Sequence, residues 1–173
     1  MYQGEKVILR ALDNSDLMRS LDFSNDYDTM RGATSGLLLP STVDDEARLF
    51  SAQSRQNRGE YQFAVETRDT HAFIGRCGFI NVDWKNRSAE ITVLIGDGAL
   101  RGKGYGTDAV RTLLRFGFDE MNLHKASAQV FTFNEAALRC YEKCGFVREG
   151  LLREEVYRDG RYQDVAVLGL VRP

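Results

Sequence analysis

The sequence RGKGYGT at residues 101–107 constrains this chain more than any other segment. Glycine occupies every second position, two cations stand among the glycines, and a run with helical spacing of apolar residues follows directly. Glycines let a backbone approach a ligand closely, and the first turn of a helix presents several N–H groups to one point. The segment therefore predicts a site for a phosphate or pyrophosphate group.

Two other glycine-rich phosphate patterns fit this segment less well. A P-loop needs glycine at position 97 and Ser or Thr at position 104, where the chain has Asp97 and Gly104. A dinucleotide fingerprint fits Gly104, Gly106 and Ala109, but residues 96–100 separate the loop from the preceding strand. The chain also lacks the alternating strands and helices of such a domain. A glycine turn without a ligand is the third alternative, and it leaves the interleaved cations unexplained.

Composition excludes several classes of protein. The chain has 173 residues, of which 43% are hydrophobic and 28% charged, with a net charge of −2. There is no basic excess that would indicate nucleic acid, and no apolar run near the roughly 18 residues of a membrane-spanning helix. With its polar N-terminus, we expect a cytoplasmic protein that binds neither nucleic acid nor membranes.

The cysteines and histidines do not form a metal-binding pattern. Cys77, Cys140 and Cys144 include no C-x-x-C pair, and His71 and His124 lie far from them in the sequence. Cys140 and Cys144 are four residues apart on a predicted helix, so they share one face. We expect them to be small residues in or near the core, and we expect no metal site.

The hydrophobic pattern predicts one mixed α/β domain over residues 1–173, with the element order βααβββαβαββ. Strands are expected at residues 6–12, 62–66, 72–82, 87–95, 125–131, 146–157 and 162–170. Four helices are expected. The first is capped within residues 13–16 and runs to about residue 25, and the second is capped by Ser41 and Thr42. The third runs from the glycine loop to about residue 121, and the fourth covers residues 135–144. The three strands before the glycine loop should form an antiparallel meander. Residues 26–39 lack a clear pattern and are interpreted as a loop or a broken helix.

A second motif, NEAALRCYEKCGF at residues 134–146, follows the glycine loop. Together with the strand AEITVLI at residues 89–95 and the R-x-x-G-x-G pattern that begins at Arg101, it resembles the GNAT superfamily of acyl-CoA-dependent N-acetyltransferases. The other matching segments are VILRAL at residues 7–12, Asp16 with Leu17, GLLR at 150–153 and DGRYQD at 159–164. They point to the branch that includes ribosomal-protein N-terminal acetyltransferases and spermidine acetyltransferases. The resemblance covers nearly the whole chain.

The resemblance implies a central, mostly antiparallel sheet that splays in its middle and is flanked by about four helices. It also implies acetyl-CoA as the co-substrate, with the pantetheine arm paired to a splayed strand and the pyrophosphate held by the glycine loop. The residues that it assigns to acetyl-CoA are Val93, Leu94, Ile95, Arg101, Gly102, Lys103, Gly104, Tyr105, Gly106, Thr107, Asn134, Ala137 and Tyr141. Residues 96–100 are slightly longer than the usual family spacing, which affects the expected pantetheine contacts.

The resemblance further assigns catalytic roles. Tyr141 matches the tyrosine acid of the family, and a phenol pKa of about 10 lies above a thiol pKa of about 8.5. Tyr141 therefore keeps its proton at neutral pH and can hydrogen-bond to the leaving thiolate or donate the proton to it. Glu90 is the candidate base for the incoming ammonium, with a structural or solvated role as the alternative. The backbone N–H of Val93 or Leu94 is the candidate oxyanion donor.

We therefore expect an acetyl-CoA-dependent N-acetyltransferase that acts on a primary amine by direct transfer in a ternary complex. The alternatives are a non-catalytic CoA-binding or regulatory module on the same fold and a nicotinamide-dependent Rossmann enzyme. The acceptor stays open among a protein N-terminus, a polyamine, an amino acid and a drug amine, with the N-terminus favoured. Homodimers are common in this branch, and the sequence does not decide whether this chain forms one.

Overall fold

The computed structural model describes residues 1–53 and 60–173. Its strands are β1 (Tyr2–Gln3), β2 (Val7–Arg10), β3 (Tyr61–Thr67), β4 (Phe73–Asp83), β5 (Ser88–Ile95), β6 (Lys125–Phe131), β7 (Val147–Arg158) and β8 (Arg161–Val171). Its α-helices are α1 (Leu17–Ser24), α2 (Tyr27–Met30), α3 (Val43–Gln53), α4 (Tyr105–Asp119) and α5 (Glu135–Lys143). Short 3-10 helices cover Asn14–Asp16 and Gly98–Leu100.

The strands form one sheet in the order β1-β2-β3-β4-β5-β6-β8-β7. Every neighbouring pair is antiparallel except β5 and β6, which run parallel. These two strands pair only through residues 88–90 and 125–127. Strand β5 continues along β4 as far as the pair of Ile95 with Gly75. Residues 91–95 therefore lie beside a gap between β5 and β6, and the expected splay of a mostly antiparallel sheet is confirmed.

The described residues contain a strand and an α-helix that the sequence did not predict. Strand β1 has two residues and helix α2 has four, and neither is long enough to show a period. Asp26 begins α2 by accepting the backbone N–H of Thr29 at 2.8 Å. The segment interpreted as a loop or broken helix thus contains one helical turn, and the structure has five α-helices where about four were expected.

Helices cover the two faces of the sheet. Successive residues of a strand point to opposite faces, and Arg76 and Cys77 of β4 show this directly. Arg76 pairs with Glu46 of α3 at 3.6 Å, whereas Cys77 lies in the main core with Leu113 of α4. Helix α4 approaches the sheet closely because Gly117 has no side chain; a Cβ there would lie 2.5 Å from the ring of Phe79. This packing holds the C-terminal part of α4 against β4.

Candidate active site

The glycine loop gives helix α4 an open N-terminus. Gly104 is the N-cap residue and has a φ of 87°, and Gly102 has a φ of 72°, a conformation that strains other residues. Tyr105, Gly106 and Thr107 form the first helical turn. Over residues 1–53 and 60–173, their N–H groups donate no well-formed hydrogen bond to the protein. These groups are free to bind an anion at the positive end of the helix.

A cavity of about 590 Å³ adjoins this open turn. Its walls are α2 with the turn after it, the end of β5, the glycine loop and α5. The residues assigned to acetyl-CoA that line it are Val93, Leu94, Ile95, Arg101, Gly102, Gly104, Gly106, Thr107, Asn134 and Ala137. The structure thus brings together most of the sequence-predicted site around one cavity.

Cations outnumber anions around the cavity. Arg31, Arg101, Arg139 and Lys143 line it, against Asp28. Arg139 and Lys143 are four residues apart on α5, which places them on one face of that helix. Arg31, Arg101 and Arg139 are paired with Asp159, Asp26 and Glu135, so Lys143 and the free N–H groups are the positive groups available to a ligand with several phosphates.

The Arg101 side chain is bound by protein groups. Its guanidinium hydrogen-bonds the Thr29 hydroxyl and donates to the carbonyl oxygens of Ile95 at 3.3 Å and Gly96 at 3.5 Å. Asp26 forms an ion pair with it at 3.9 Å. Arg101 therefore ties the end of β5 to α2, and its contact with a phosphate stays a prediction.

Lys103 and Tyr105 lie on the outer side of the loop. Lys6 donates from its ammonium to the Lys103 carbonyl oxygen at 2.8 Å and stands 5.5 Å from the centre of the Tyr105 ring. Neither Lys103 nor Tyr105 lines the cavity. If these two residues contact a phosphate, their backbone N–H groups must make the contact.

Asn134 connects two walls of the cavity. Its side-chain oxygen accepts the Ala137 N–H at 3.2 Å, which caps α5. Its amide nitrogen donates to the Gly32 carbonyl oxygen at 3.4 Å, in the turn after α2. The position of α5 is thereby linked to that of the α2 segment.

Tyr141 lies in the core and does not line the cavity. It is 4% exposed, and its ring packs edge-on against Phe146 with the centroids 5.1 Å apart. Burial raises the pKa of Tyr141, and negative charge on the neighbouring thiols and on Glu90 raises this pKa further. Within the described ranges its hydroxyl has no hydrogen-bond partner, so the phenol is protonated and free to donate to an incoming group.

Glu90 lies where β5 and β6 separate. It is the last β5 residue that pairs with β6, and its carboxylate accepts the side-chain N–H of Asn81 at 3.2 Å. The carboxylate is half-buried and does not line the cavity. Because its charge raises the pKa of Tyr141, the two groups are electrostatically coupled. The acid and base roles of these two residues remain predictions.

Sequence reasoning did not identify several cavity residues. Arg139, Cys140 and Lys143 share the helix face of Ala136, at spacings of three, four and seven, so the helical period could have indicated them as one group. The residues from the α2 segment are Asp28, Thr29, Arg31, Gly32 and Ala33. They reach the cavity through tertiary contacts, and no local signal predicts them.

Two further expectations concern metals and membranes. Among residues 1–53 and 60–173, no group of three or more His, Cys, Asp or Glu side chains is arranged to hold a metal ion. In the same ranges, no helix combines the length and apolarity needed to cross a membrane.

The fold and the site define a class of protein. The model of the acetyltransferase (GNAT) domain family matches residues 6–147, and the chain belongs to this family. It is an N-acetyltransferase, as are its named relatives.

Individual relatives are similar over almost their whole length. The chain is 32% identical to spermidine N(1)-acetyltransferase of Vibrio cholerae, over 94% of this chain and 91% of that protein. It is 31% identical to an uncharacterized N-acetyltransferase of Bacillus subtilis, over 100% of this chain and 97% of that protein.

Solved structures show the same architecture. The crystal structure of spermidine N-acetyltransferase from Vibrio cholerae in complex with CoA and spermine is similar with a TM-score of 0.86 and 32% identity, over 95% of both chains. A GNAT-family acetyltransferase from Bacillus anthracis has a TM-score of 0.83 at 21% identity, over 98% of this chain and 97% of that one, which supports the fold alone.

Proposed function

We propose that this enzyme transfers an acetyl group from acetyl-CoA directly to a primary amine, with the coenzyme in the cavity beside the glycine loop. The observation that carries the proposal is the separation of β5 from β6. It leaves residues 91–95 unpaired on that side, next to the free N–H groups of α4. CoA has its groups in the matching order, a pyrophosphate followed by an arm that contains amides.

The charges around the cavity support this orientation of CoA. Arg139 and Lys143 lie on α5, and Arg31 lies on the opposite wall. In the proposed complex, the N–H groups of residues 102–107 bind the pyrophosphate and Lys143 binds the outer phosphate oxygens, while Arg139 and Arg31 stay paired with Glu135 and Asp159. Val93, Leu94 and Ile95 bind the amide-containing arm through their backbone, with Asn134 and Ala137 on the facing wall.

The chemical step requires one bond to form and one to break. The amine nitrogen attacks the thioester carbonyl carbon, the C–N bond forms, and the C–S bond breaks when the tetrahedral intermediate collapses. The nitrogen loses a proton to a base, and the sulfur gains one from an acid. A backbone N–H at Val93 or Leu94 stabilises the oxyanion.

Tyr141 is the proposed acid. Its buried phenol stays protonated because burial raises its pKa. A thiolate that forms beside it therefore accepts a strong hydrogen bond from the phenol, whereas the raised pKa disfavours full transfer of the proton. A phenylalanine at this position keeps the packing against Phe146 and removes only the hydroxyl.

Glu90 is the proposed base, acting directly or through water. Its position at the last paired residue of β5 places a carboxylate where the strands diverge. Replacing Glu90 with glutamine removes the charge and keeps an acceptor for Asn81. The role predicts that the variant loses rate mainly at low pH, where the acceptor amine is most protonated.

The proposed acceptor is a polyamine. Relatives that are 32% identical are spermidine N(1)-acetyltransferases, and one similar structure holds spermine together with CoA. The sequence favoured a protein N-terminus, and a peptide with a free N-terminus is therefore the comparison substrate. An amino acid and an aminoglycoside complete the set of amines.

The test is acetyl transfer to these amines, followed by mass spectrometry of the acetylated product. We expect spermidine to be the best acceptor. Tyr141→Phe should lower kcat by about 10²-fold or more while CoA affinity stays within about twofold. Tyr157→Phe is the matched control, since that tyrosine is 62% exposed. Unchanged kcat in Tyr141→Phe contradicts the acid role, and absence of CoA binding in a calorimeter contradicts the whole proposal.

A further inference from the structure

Two thiols lie where helix α5 meets the open turn of α4. Cys140 lines the cavity, and Cys144 is half-buried four residues further along α5. The third cysteine, Cys77, is 1% exposed in the core. The proposed mechanism uses none of the three.

The Cys140 sulfur lies directly against the first turn of α4. The Thr107 hydroxyl donates to it at 3.6 Å, and a Cβ built on Gly106 would stand 3.8 Å from it. Cys144 donates to the Thr107 carbonyl oxygen at 3.5 Å. The sulfur of Cys140 therefore borders the N–H groups that are proposed to bind the pyrophosphate.

The surroundings of Cys140 favour its thiolate. The neighbouring Cys144 thiol, the Thr107 hydroxyl and the cations Lys143 and Arg111 together lower the pKa of Cys140 to about 7, against the effect of burial. Cys144 keeps its proton, which it donates to the Thr107 carbonyl oxygen, and the neighbouring Cys140 raises the pKa of Cys144. Burial raises the pKa of Cys77. Since the thiolate is the nucleophile, the cavity-lining Cys140 is the best candidate for a reactive thiol among the three cysteines.

We propose that Cys140 is a modification site for low-molecular-weight disulfides, and that the modified thiol and bound coenzyme exclude each other. The Cys140 thiolate attacks one sulfur of the disulfide R–S–S–R. A Cys140–S–S–R bond forms, the original S–S bond breaks, and R–S⁻ leaves and takes a proton from water. No other oxidant is needed, because the small disulfide is itself reduced by the exchange.

The product is a mixed disulfide and not a Cys140–Cys144 bond. Side chains four residues apart on a helix have Cβ atoms about 5–6 Å apart, whereas a disulfide needs about 3.5–4.5 Å. Closing the internal bond would require the last turn of α5 to unwind. The mixed disulfide therefore persists until an external thiol reduces it.

The modified Cys140 and bound coenzyme exclude each other because of where the group added to the sulfur must lie. The sulfur lies between Gly106 and Thr107 on one side and the cavity on the other, so the added group extends into the cavity. The same volume is assigned to CoA by the proposed function, and the exclusion rests on that assignment. The reaction of Cys140 with a disulfide does not depend on the assignment of the cavity to CoA.

The first experiment measures the thiol that reacts with 5,5′-dithiobis(2-nitrobenzoate) at neutral pH. We expect rapid release of one equivalent of chromophore from the native protein, from Cys77→Ser and from Cys144→Ser, and loss of this phase in Cys140→Ser. Peptide mass spectrometry should place the adduct on Cys140. A rapid phase that persists in Cys140→Ser overturns the proposal.

The second experiment uses desulfo-coenzyme A, which lacks the thiol that would consume the reagent. At 100 times its Kd, it should slow the rapid phase about 100-fold, because only the free protein reacts. The isolated adduct should not bind desulfo-coenzyme A in a calorimeter, and dithiothreitol should restore binding. Binding that leaves the reaction rate unchanged overturns the exclusion alone. Absence of binding to the unmodified protein overturns the proposed function and the exclusion together.

Discussion

The Asp108 carboxylate accepts the backbone N–H of Lys6 at 2.7 Å, although the two residues are 102 positions apart in the sequence. The same carboxylate accepts the N–H groups of Val7 at 2.9 Å and Glu5 at 3.1 Å. Gly4 allows this approach, since a Cβ there would lie 2.4 Å from the carboxylate. The start of α4, which carries the glycine loop, is thus held by the N-terminal end of β2.

Removing the Asp108 carboxylate should destabilise the protein. Asp108→Ala leaves buried N–H groups without an acceptor, and we expect a loss of about 3 kcal/mol in the free energy of unfolding, measured by urea denaturation. Asp119→Ala at the other end of α4 is the control. Its ion pair with Arg172 is exposed, and its loss should cost less than about 1 kcal/mol. Equal effects of the two substitutions would contradict the anchoring role.

An alanine at position 75 should damage the β4–β5 pairing beside the cavity. A Cβ on Gly75 would lie 1.9 Å from the carbonyl oxygen of Leu94, so β5 must shift. We expect a loss of about 1–3 kcal/mol in unfolding free energy and a weaker Kd for CoA. Gly98→Ala is the control, because nothing lies within 4 Å of its added Cβ. A Gly75→Ala protein with normal stability and CoA affinity would refute this packing.

The turn between β7 and β8 should position the α2 segment. Asp159 accepts hydrogen bonds from Tyr27 and Arg31, and Arg158 donates to the carbonyl oxygen of Thr34 at 2.7 Å. A helix of four residues is not stable alone. Asp159→Asn should therefore speed hydrogen exchange in residues 27–36 and weaken CoA binding by about 5–10-fold, or about 1–1.4 kcal/mol.

The matched substitution for Asp159→Asn is Glu155→Gln on the same hairpin, where the side chain is exposed. It should leave both hydrogen exchange and CoA affinity as in the native protein. If Asp159→Asn also leaves hydrogen exchange and CoA affinity unchanged, the contacts of the turn do not position α2.

Stability should depend on pH through Glu66. Burial alone would raise the pKa of Glu66, but hydrogen bonds from Arg10 and His71 outweigh burial and lower this pKa below its ordinary value. A depressed folded-state pKa gives stability above the unfolded pKa of about 4.3, and this stability is lost as the pH falls through the folded value. Glu66→Gln should flatten the decline in unfolding free energy below about pH 5. Glu135→Gln, with a 75% exposed side chain, should retain the decline.

Much of the fold was predictable from local pattern. The expected strand at residues 125–131 matches β6, and Gly145, with a φ of 94°, ends α5 as its position after the helix indicated. The parallel pairing of β5 with β6 depends on contacts between distant segments. The sequence did not predict it, and the splay beside it was expected only from the resemblance to a family.

The site was predictable to a lesser extent. The glycine loop and Asn134 carry local signals, since special backbone conformations and caps restrict the residue type. The contribution of Arg31 depends on how the β7–β8 turn packs against α2, and no periodicity encodes that contact. The hydrogen bond between the Arg101 side chain and Thr29 likewise depends on contact between segments that are distant in the sequence.

Because β5 and β6 pair only through residues 88–90 and 125–127, the sheet consists of two halves whose boundary, the seam, is closed at one end only. An extended molecule with amide groups would complete the ladder along residues 91–95, as an added strand completes an edge. The coenzyme would then act as a structural component as well as a reactant. Each round of release would reopen the seam, and the melting temperature should rise with coenzyme concentration.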